Sequence, residues 1–388
     1  MNKNLWLLAA CQGLFLSNNV CFIAINGLVG LSMAPYAWMA TLPVMAYVVG
    51  GALSTPLVAR SQRRWGRRTA FQIGLAVALG SALLCALAAL SHQFWLLCLA
   101  TLVAGYYNAN ATLYRFAAAE LARPDWREKA ISMVMAGGLV GAVIGPNIAN
   151  LTRNWFTVPF VGAYLSLAVI ALAAMALMQF IAFPAPASHH TGQGGRPLSQ
   201  IARQPVFIVA ALAGAFSYGV MNLLMAATPL AMDVCRLPFD QVALVLEWHV
   251  IGMFAPGFFT GHLIRRFGAL AVMSVGVLLN LACIAVALSG VNLHQFLIAL
   301  FLLGVGWNFV FTGSTTLSLA AYTSEEKDRA QGALNFCIFL TLALSSFSSG
   351  VLVTTQGWQW LNLGSLVPVI ATAAALGWLA RKQSAARR

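Results

Sequence analysis

Charged residues are scarce in this sequence: only 8% of its 388 residues are Asp, Glu, Lys or Arg, and nine of them are acidic. Soluble globular proteins carry about 25% charged and about 45–50% apolar residues. Here 60% of the residues are hydrophobic and the mean hydropathy is +0.81. Because so few polar residues cannot cover a soluble core of this size, the composition excludes a soluble globular protein and indicates that lipid surrounds most of the chain.

Motifs for covalent chemistry and nucleotide hydrolysis are absent as well. The sequence contains no P-loop, no HExxH and no GxSxG motif, and its seven cysteines form no CxxC pair. We therefore expect neither an enzyme nor an ATP-driven pump, and no permanently bound cofactor. A secondary transporter or facilitator remains.

What the sequence does contain is a series of long apolar runs. A membrane-spanning helix needs about 20 apolar residues, whereas the strands of outer-membrane barrels alternate in segments of about 10 residues. The continuous runs predict an all-α membrane protein with twelve transmembrane helices. They lie at about 5–33, 36–59, 70–90, 94–121, 130–151, 157–183, 204–231, 240–264, 268–290, 294–322, 328–354 and 357–380.

A polar segment divides the runs six and six. Residues 184–203 are rich in Pro, Gly, Ser and His and indicate a cytoplasmic linker. The linker separates a six-helix bundle at 1–183 from a second bundle at 204–388. The motif RRWG at 63–66 recurs as RRFG at 265–268, 202 residues later. Such a parallel repeat is typical of transporters built from two bundles.

The basic residues predict the topology. All but three of the 22 Lys and Arg residues fall at the termini or in the loops on one side of the predicted membrane; the exceptions are Arg115, Arg153 and Arg236. Because basic loops stay inside, we expect both termini to be cytoplasmic. The net charge of +13 is thereby explained by the lipid bilayer, without a nucleic-acid partner.

Two spacings in the second bundle point to a metal. Met221 and Met225 lie four residues apart in the seventh span, and His249 and Met253 lie four apart in the eighth. Residues four apart share a helix face, and the two antiparallel helices place both pairs at a similar depth. Thioether sulfur and imidazole nitrogen suit a soft ion such as Cu(I). The spacings predict a copper site, with copper as the transported substrate.

Two further residues are candidate accessories to this site. Cys235 lies near the outer mouth, and Glu247 is an ionisable residue inside a predicted span, which is by default a functional candidate. We expect Glu247 either to tune His249 or to carry a coupling proton. The alternative explanation of the Met and His spacings is chance, since methionine often fills gaps between packed helices.

A competing site lies in the first bundle. Its fourth span reads GYYNANATLYR and its first span contains several asparagines. The side chains of Asn19, Tyr107, Asn110 and Arg115 are suited to hydrogen-bond and stack against a polar organic solute. Hydrogen bonding between helices explains the same residues equally well.

The segment at 63–68 resembles the signature of the major facilitator superfamily between helices 2 and 3, G-x3-D-R-x-G-R-R, although Ala59 replaces its first Gly and Arg63 its Asp. The Met and His pairs resemble the hallmark of the CcoA-like copper importers of that superfamily. This resemblance implies alternating access and copper uptake across the bacterial inner membrane for the biogenesis of cbb3-type cytochrome oxidase. Because the wider family includes riboflavin-transporter relatives, the alternative is an organic solute, either riboflavin-like import or drug efflux.

Overall fold

The computed structural model describes residues 3–123, 126–183, 195–323 and 325–387. Within these ranges the chain forms α-helices and two 3₁₀ turns (Ala37–Met39 and Leu319–Ala321), with no strand. The helices are α1 (Lys3–Met33), α2 (Leu42–Leu90), α3 (Phe94–Ala111), α4 (Tyr114–Leu121), α5 (Arg127–Thr152), α6 (Val161–Gln179), α7 (Leu198–Ile201), α8 (Pro205–Val234), α9 (Phe239–Phe254), α10 (Gly257–Phe267), α11 (Ala269–Ser289), α12 (Leu293–Ser318), α13 (Lys327–Thr355) and α14 (Gly357–Arg387).

The helices account for the predicted crossings. Among the described residues, nine helices are long and apolar enough to span a membrane, or ten if the pair α9–α10, bent by 40°, forms one span. The 49 residues of α2 measure about 70 Å at 1.5 Å per residue, enough for two crossings. Helices α3 and α4 follow each other closely and form one more. Counted in this way the described chain makes twelve crossings, and the predicted all-α, twelve-helix fold is confirmed.

A glycine joins the second and third crossings. The sequence predicts a loop at 60–69, but this segment is helical except at Gly66, where φ is 75° and ψ is 172°. Glycine adopts positive φ without the steric cost that a Cβ imposes. Gly268, 202 residues later, has φ 84° between α10 and α11. The repeat recognised in the sequence is therefore also a repeat of backbone geometry.

The chain forms two compact units. One comprises Met1–Ser188 with Ala226–Trp248, and the other comprises His189–Met225 with His249–Arg388. The predicted bundle limits, 183 and 204, stay a prediction, and residues 184–194 of the predicted linker lie outside the described residues.

Glycines allow helices within each unit to approach closely. In the first unit, a Cβ added to Gly105 on α3 would lie 2.6 Å from the carbonyl oxygen of Tyr47 on α2. In the second unit, a Cβ added to Gly304 on α12 would lie 2.9 Å from the backbone nitrogen of Met253 on α9. Small residues at such crossings let helices pack against each other where no hydrophobic effect drives their association.

The end of the predicted linker is fastened to the turn before α13. The carboxylate of Glu326, whose side chain is 2% exposed, accepts hydrogen bonds from the backbone nitrogen of Arg196 at 2.7 Å and from its guanidinium at 2.8 Å. A fourth hydrogen bond comes from the backbone nitrogen of Thr323 at 3.0 Å. These donors hold the pKa of Glu326 well below its ordinary value.

Candidate functional site

His249 is fully buried on α9 and faces α12. Its Nδ1 lies 2.6 Å from the carbonyl oxygen of Leu300. Because a carbonyl only accepts, Nδ1 carries the proton and donates it. The other ring nitrogen, Nε2, is buried and has no hydrogen-bond partner among the described residues. His249 therefore links α9 to α12 through Nδ1, and its Nε2 is left without a hydrogen bond in the described part of the chain.

The three methionines of the predicted copper site are also buried. Met221 and Met225 on α8 are 3% and 4% exposed, and Met253 on α9 is 7% exposed. The carbonyl oxygen of Met253 accepts a hydrogen bond of 2.7 Å from Nδ2 of Asn308 on α12. Beside Met221, Asn222 donates hydrogen bonds to Ser345 and Ser346 on α13 at 2.9 and 2.8 Å. Each pair thus lies on a helix that polar contacts fix to its neighbours.

The two predicted accessory residues have other surroundings. Glu247 accepts a hydrogen bond of 2.9 Å at Oε2 from Nδ2 of Asn147 on α5, a residue of the same compact unit. Cys235 follows the end of α8 and is half-buried, and partial burial raises the pKa of its thiol. A raised pKa keeps the thiol protonated, and the thiol is a weaker metal ligand than the thiolate.

In the first half, Asn19 joins three helices. Its Nδ2 donates to the hydroxyl of Tyr47 on α2 at 3.0 Å and lies 3.5 Å from Oδ1 of Asn108 on α3. Both Asn19 and Asn108 are half-buried. We call these three side chains the polar trio.

Of the other three residues predicted to contact an organic solute, two are buried between helices and one is exposed. Tyr107 is 3% exposed and meets Phe15 edge to face, with ring centroids 5.5 Å apart. Asn110 is 1% exposed and donates to the carbonyl oxygen of Ala70 at 2.8 Å. Arg115 is exposed on α4, with its guanidinium 4.9 Å from the ring centroid of Phe116.

Each half contains a buried asparagine, Asn110 on α3 or Asn308 on α12, whose side chain hydrogen-bonds other helices. We call these two sets of contacts the asparagine locks. Oδ1 of Asn110 accepts a hydrogen bond from Gln62 at 3.5 Å, and Oδ1 of Asn308 accepts one from Thr260 at 2.7 Å. Donor and acceptor are each shifted by 198 residues between the halves. By these contacts α3 of the first half is equivalent to α12 of the second half.

An aromatic cluster in the second half was missed by the sequence analysis. It consists of Tyr218 on α8, Phe254 on α9 and the pair Trp307 and Phe311 on α12. Ring centroids of Trp307 lie 5.1 Å from Tyr218, 5.0 Å from Phe311 and 6.3 Å from Phe254. The spacing of Trp307 and Phe311, four residues apart, was the available signal, but the contributions of α8 and α9 are visible only in three dimensions.

The fold and the buried polar contacts within its helices define a polytopic helical membrane transporter. The pattern of the Major Facilitator Superfamily matches residues 5–255 and, in a second match, residues 211–388. The chain belongs to the Major Facilitator Superfamily, and the overlap of the two matches agrees with its internal repeat.

Among characterised relatives, the chain is 39% identical over 368 residues to the riboflavin transporter RfnT of Brucella anthropi, covering 93% of this chain and 91% of that protein. It is 28% identical to the uncharacterised MFS-type transporter YdeG of Bacillus subtilis, covering 88% of this chain and 83% of the relative.

Solved structures share the fold at low sequence identity. A mutant of the nucleoside transporter NupG has a TM-score of 0.77 at 13% identity, covering 96% of this chain and all of that one. A bacterial homologue of the human lysosomal transporter Spinster, in an inward-facing and occupied conformation, has a TM-score of 0.74 at 15% identity, covering 97% and 96%.

The comparison with RfnT corrects the expected function. Copper import for cytochrome oxidase biogenesis is wrong, and the alternative of a small organic solute is supported instead. Physically, methionines and a histidine four residues apart arise readily in long apolar helices, where they pack, and His249 is used to bind α12. The role of Met221, Met225, His249 and Met253 as ligands stays a prediction.

Proposed function

We propose that this protein is a secondary transporter of a small organic solute of the riboflavin class. It lies in the bacterial inner membrane with both termini in the cytoplasm. The observation that carries the proposal is the 39% identity to a riboflavin transporter along 93% of the chain. A likeness of that extent includes the helices of both halves, whereas the likeness to the solved structures supports the fold alone.

The polar trio supplies one set of contacts for such a solute. Riboflavin carries carbonyl, ring nitrogen and hydroxyl groups that need partners when they leave water, since an unmade hydrogen bond in a membrane interior is costly. Asn19 and Asn108 are half-buried amides that donate and accept. Tyr107 and Asn110 are buried and hold helices together, so we assign them to the scaffold. Arg115, exposed on α4, stays a candidate contact.

The coupling proton is assigned to Glu247. An ionisable side chain inside a spanning helix is energetically costly, which makes it a functional candidate, and such side chains serve as proton relays in transporters. The amide of Asn147 donates a hydrogen bond of 2.9 Å to its carboxylate. Protonation removes the negative charge and so weakens this hydrogen bond between α9 and α5, and this links proton binding to helix movement.

The first test is uptake of radiolabelled riboflavin by a bacterial strain that can neither make nor import it. We expect the wild-type protein to restore uptake and growth, and Asn19→Ala to lower uptake about tenfold at equal membrane abundance. Ser274→Ala is the matched control, because this exposed hydroxyl bonds only its own helix. Wild-type cells that take up no more riboflavin than cells with empty vector would overturn the proposal.

Vesicles separate coupling from binding. Glu247→Gln should abolish accumulation driven by a proton gradient but retain exchange of labelled for unlabelled riboflavin, because the amide keeps the shape of the carboxylate without its charge. Accumulation at the wild-type level would show that Glu247 does not carry the coupling proton.

A further inference from the structure

We propose that the aromatic cluster of Tyr218, Phe254, Trp307 and Phe311 is the platform on which a planar heteroaromatic solute stacks. The inference rests on the proposed function and deepens it, because it names the side chains that would recognise the ring system. It also predicts that the ring system, and not the polar chain of a flavin, dominates binding in the second half.

The geometry of the cluster suits ring recognition. Trp307 and Phe311 lie one turn apart on α12 with their planes at 9° and their centroids 5.0 Å apart. Tyr218 meets both rings edge on, at 86° and 87° and 5.1 Å. Aromatic rings attract each other both in offset stacks and edge to face. A planar solute can therefore extend the existing stack or replace one of its members.

The cluster is less well enclosed than an aromatic pair that serves only packing. Phe296 and Trp358, in the same unit, are 1% and 7% exposed, and the indole nitrogen of Trp358 donates to the carbonyl oxygen of Ala287 at 3.3 Å. Tyr218, Phe254 and Phe311 are each half-buried instead. The protein thus leaves part of these ring surfaces without protein contact.

The indole nitrogen of Trp307 strengthens the contrast. Trp307 is 6% exposed, and its Nε1 is buried without a hydrogen-bond acceptor among the described residues. A buried donor without an acceptor is unfavourable and calls for an explanation. A heteroaromatic solute with a ring carbonyl or ring nitrogen supplies the missing acceptor, whereas a purely hydrocarbon ring does not.

The repeat shows that the fold does not require these rings. By the offset of 198 residues that relates the two asparagine locks, Trp307 and Phe311 correspond to Ala109 and Leu113 in the first half. By the offset of 202 residues that relates Gly66 and Gly268 they correspond to Gly105 and Ala109, so neither offset places an aromatic ring at these positions of the first half. An aromatic pair added to one half alone is better explained by a ligand than by the architecture.

The inference is tested by the binding of riboflavin, and of lumiflavin, which has the same ring system with a methyl group in place of the ribityl chain, to purified full-length protein in lipid nanodiscs. Flavin fluorescence reports stacking directly, because a neighbouring indole quenches it. We expect wild-type protein to bind both probes with strong quenching. Trp307→Leu should weaken both by tenfold or more, a factor common for a single aromatic stacking partner. Trp307→Phe should keep most of the affinity and lose most of the quenching.

Trp360→Leu is the matched control, since this tryptophan of the same unit is 62% exposed on α14, and it should bind both probes as the wild type does. Tyr218→Leu provides a second variant from another helix, which keeps the test decisive if Trp307→Leu fails to fold. Wild-type binding that persists unchanged in the Trp307 and Tyr218 variants would overturn the platform and leave the proposed function intact. Wild-type protein that neither binds nor transports flavin would overturn the proposed function and, with it, this inference.

Discussion

Each half of the molecule contains a buried asparagine that hydrogen-bonds other helices, but the residues beside the two asparagines differ. Asn110 in the first half and Asn308 in the second accept hydrogen bonds from equivalent positions of the preceding helices. Next to these locks the first half has Ala109 and the second has Trp307. Features that recur at a fixed offset report the fold, whereas features found in one half alone are where a ligand is to be sought.

The largest expected effects come from glycines at helix crossings, and they test whether both halves depend equally on close approach. Gly105→Leu and Gly304→Leu each drive a side chain into the backbone of a neighbouring helix. We expect either substitution to destabilise the protein by about 3 kcal/mol or more, as severe overpacking does. Thermal unfolding in detergent measures the loss.

Controls for these two variants exist in each half. A Cβ on Gly80 of α2 or on Gly364 of α14 meets nothing within 4 Å, so Gly80→Leu and Gly364→Leu should unfold close to the wild-type temperature. If only one of the two crossing variants is destabilised, the halves are not equivalent in packing.

The sequence was sufficient for the fold because the signal for a spanning helix is local. Each apolar run had to be about 20 residues long, whereas the orientation inferred from the excess of Lys and Arg on one side stays a prediction. The polar segment at 60–69 was predicted less well, because its composition indicated a loop. In the structure it continues as helix up to Gly66 and resumes beyond it.

The site could not be predicted in the same way, because its contacts join distant parts of the chain. Glu247 is bonded to Asn147, 100 residues away, and the aromatic cluster takes its rings from three helices. Spacing on one helix says which residues share a face but not what that face meets. The Met221–Met225 pair on α8 and the His249–Met253 pair on α9 were therefore assigned copper, a substrate that the comparison with relatives does not support.

The asparagine locks themselves give the next largest effect. Asn308→Ala removes two hydrogen bonds of 2.7 Å, whereas Asn110→Ala removes one of 2.8 Å and a longer one of 3.5 Å. We expect Asn308→Ala to cost about 1–2 kcal/mol and Asn110→Ala less, within the range measured for hydrogen bonds between membrane helices. The same unfolding assay ranks them, and a larger loss for Asn110→Ala would contradict the geometric comparison.

A smaller effect is expected at the predicted linker, where Glu326 binds Arg196. Both residues belong to the second compact unit. Its pKa is lowered in the folded protein, so its contribution is fully present above the ordinary glutamate pKa of about 4.3. That contribution is lost as the pH falls through the lowered value. Between pH 8 and pH 5 the contact with Arg196 should therefore be insensitive to pH.

Glu326→Gln tests this contact at neutral pH by removing the charge that Arg196 binds. The backbone amide of Arg196, which donates to Glu326, should then exchange its hydrogen for deuterium severalfold faster, because the contact that holds it is weakened. Glu325→Gln is the control, since that side chain is exposed, and it should leave the exchange rate unchanged. Equal rates in all three proteins would mean that backbone contacts alone hold the linker end.

The smallest effect concerns an ion pair of the first half that has no counterpart among the described residues of the second half, since Ala269 stands at the position equivalent to Arg67 by the offset of 202 residues. Arg67 binds Glu120, with Nε and Oε2 3.0 Å apart and side chains 21% and 42% exposed. Exposed pairs contribute about 0–1 kcal/mol, so Arg67→Gln should shift unfolding only slightly, and less at high salt.

However, Arg67 also donates to Gln62 at 3.0 Å, and Gln62 contacts Asn110. Arg67→Gln should therefore couple to Asn110→Ala by about 0.5 kcal/mol but add independently to Asn308→Ala, with which it shares no partner. Strict additivity with both asparagine variants would mean that the chain of contacts through Gln62 transmits nothing to the lock.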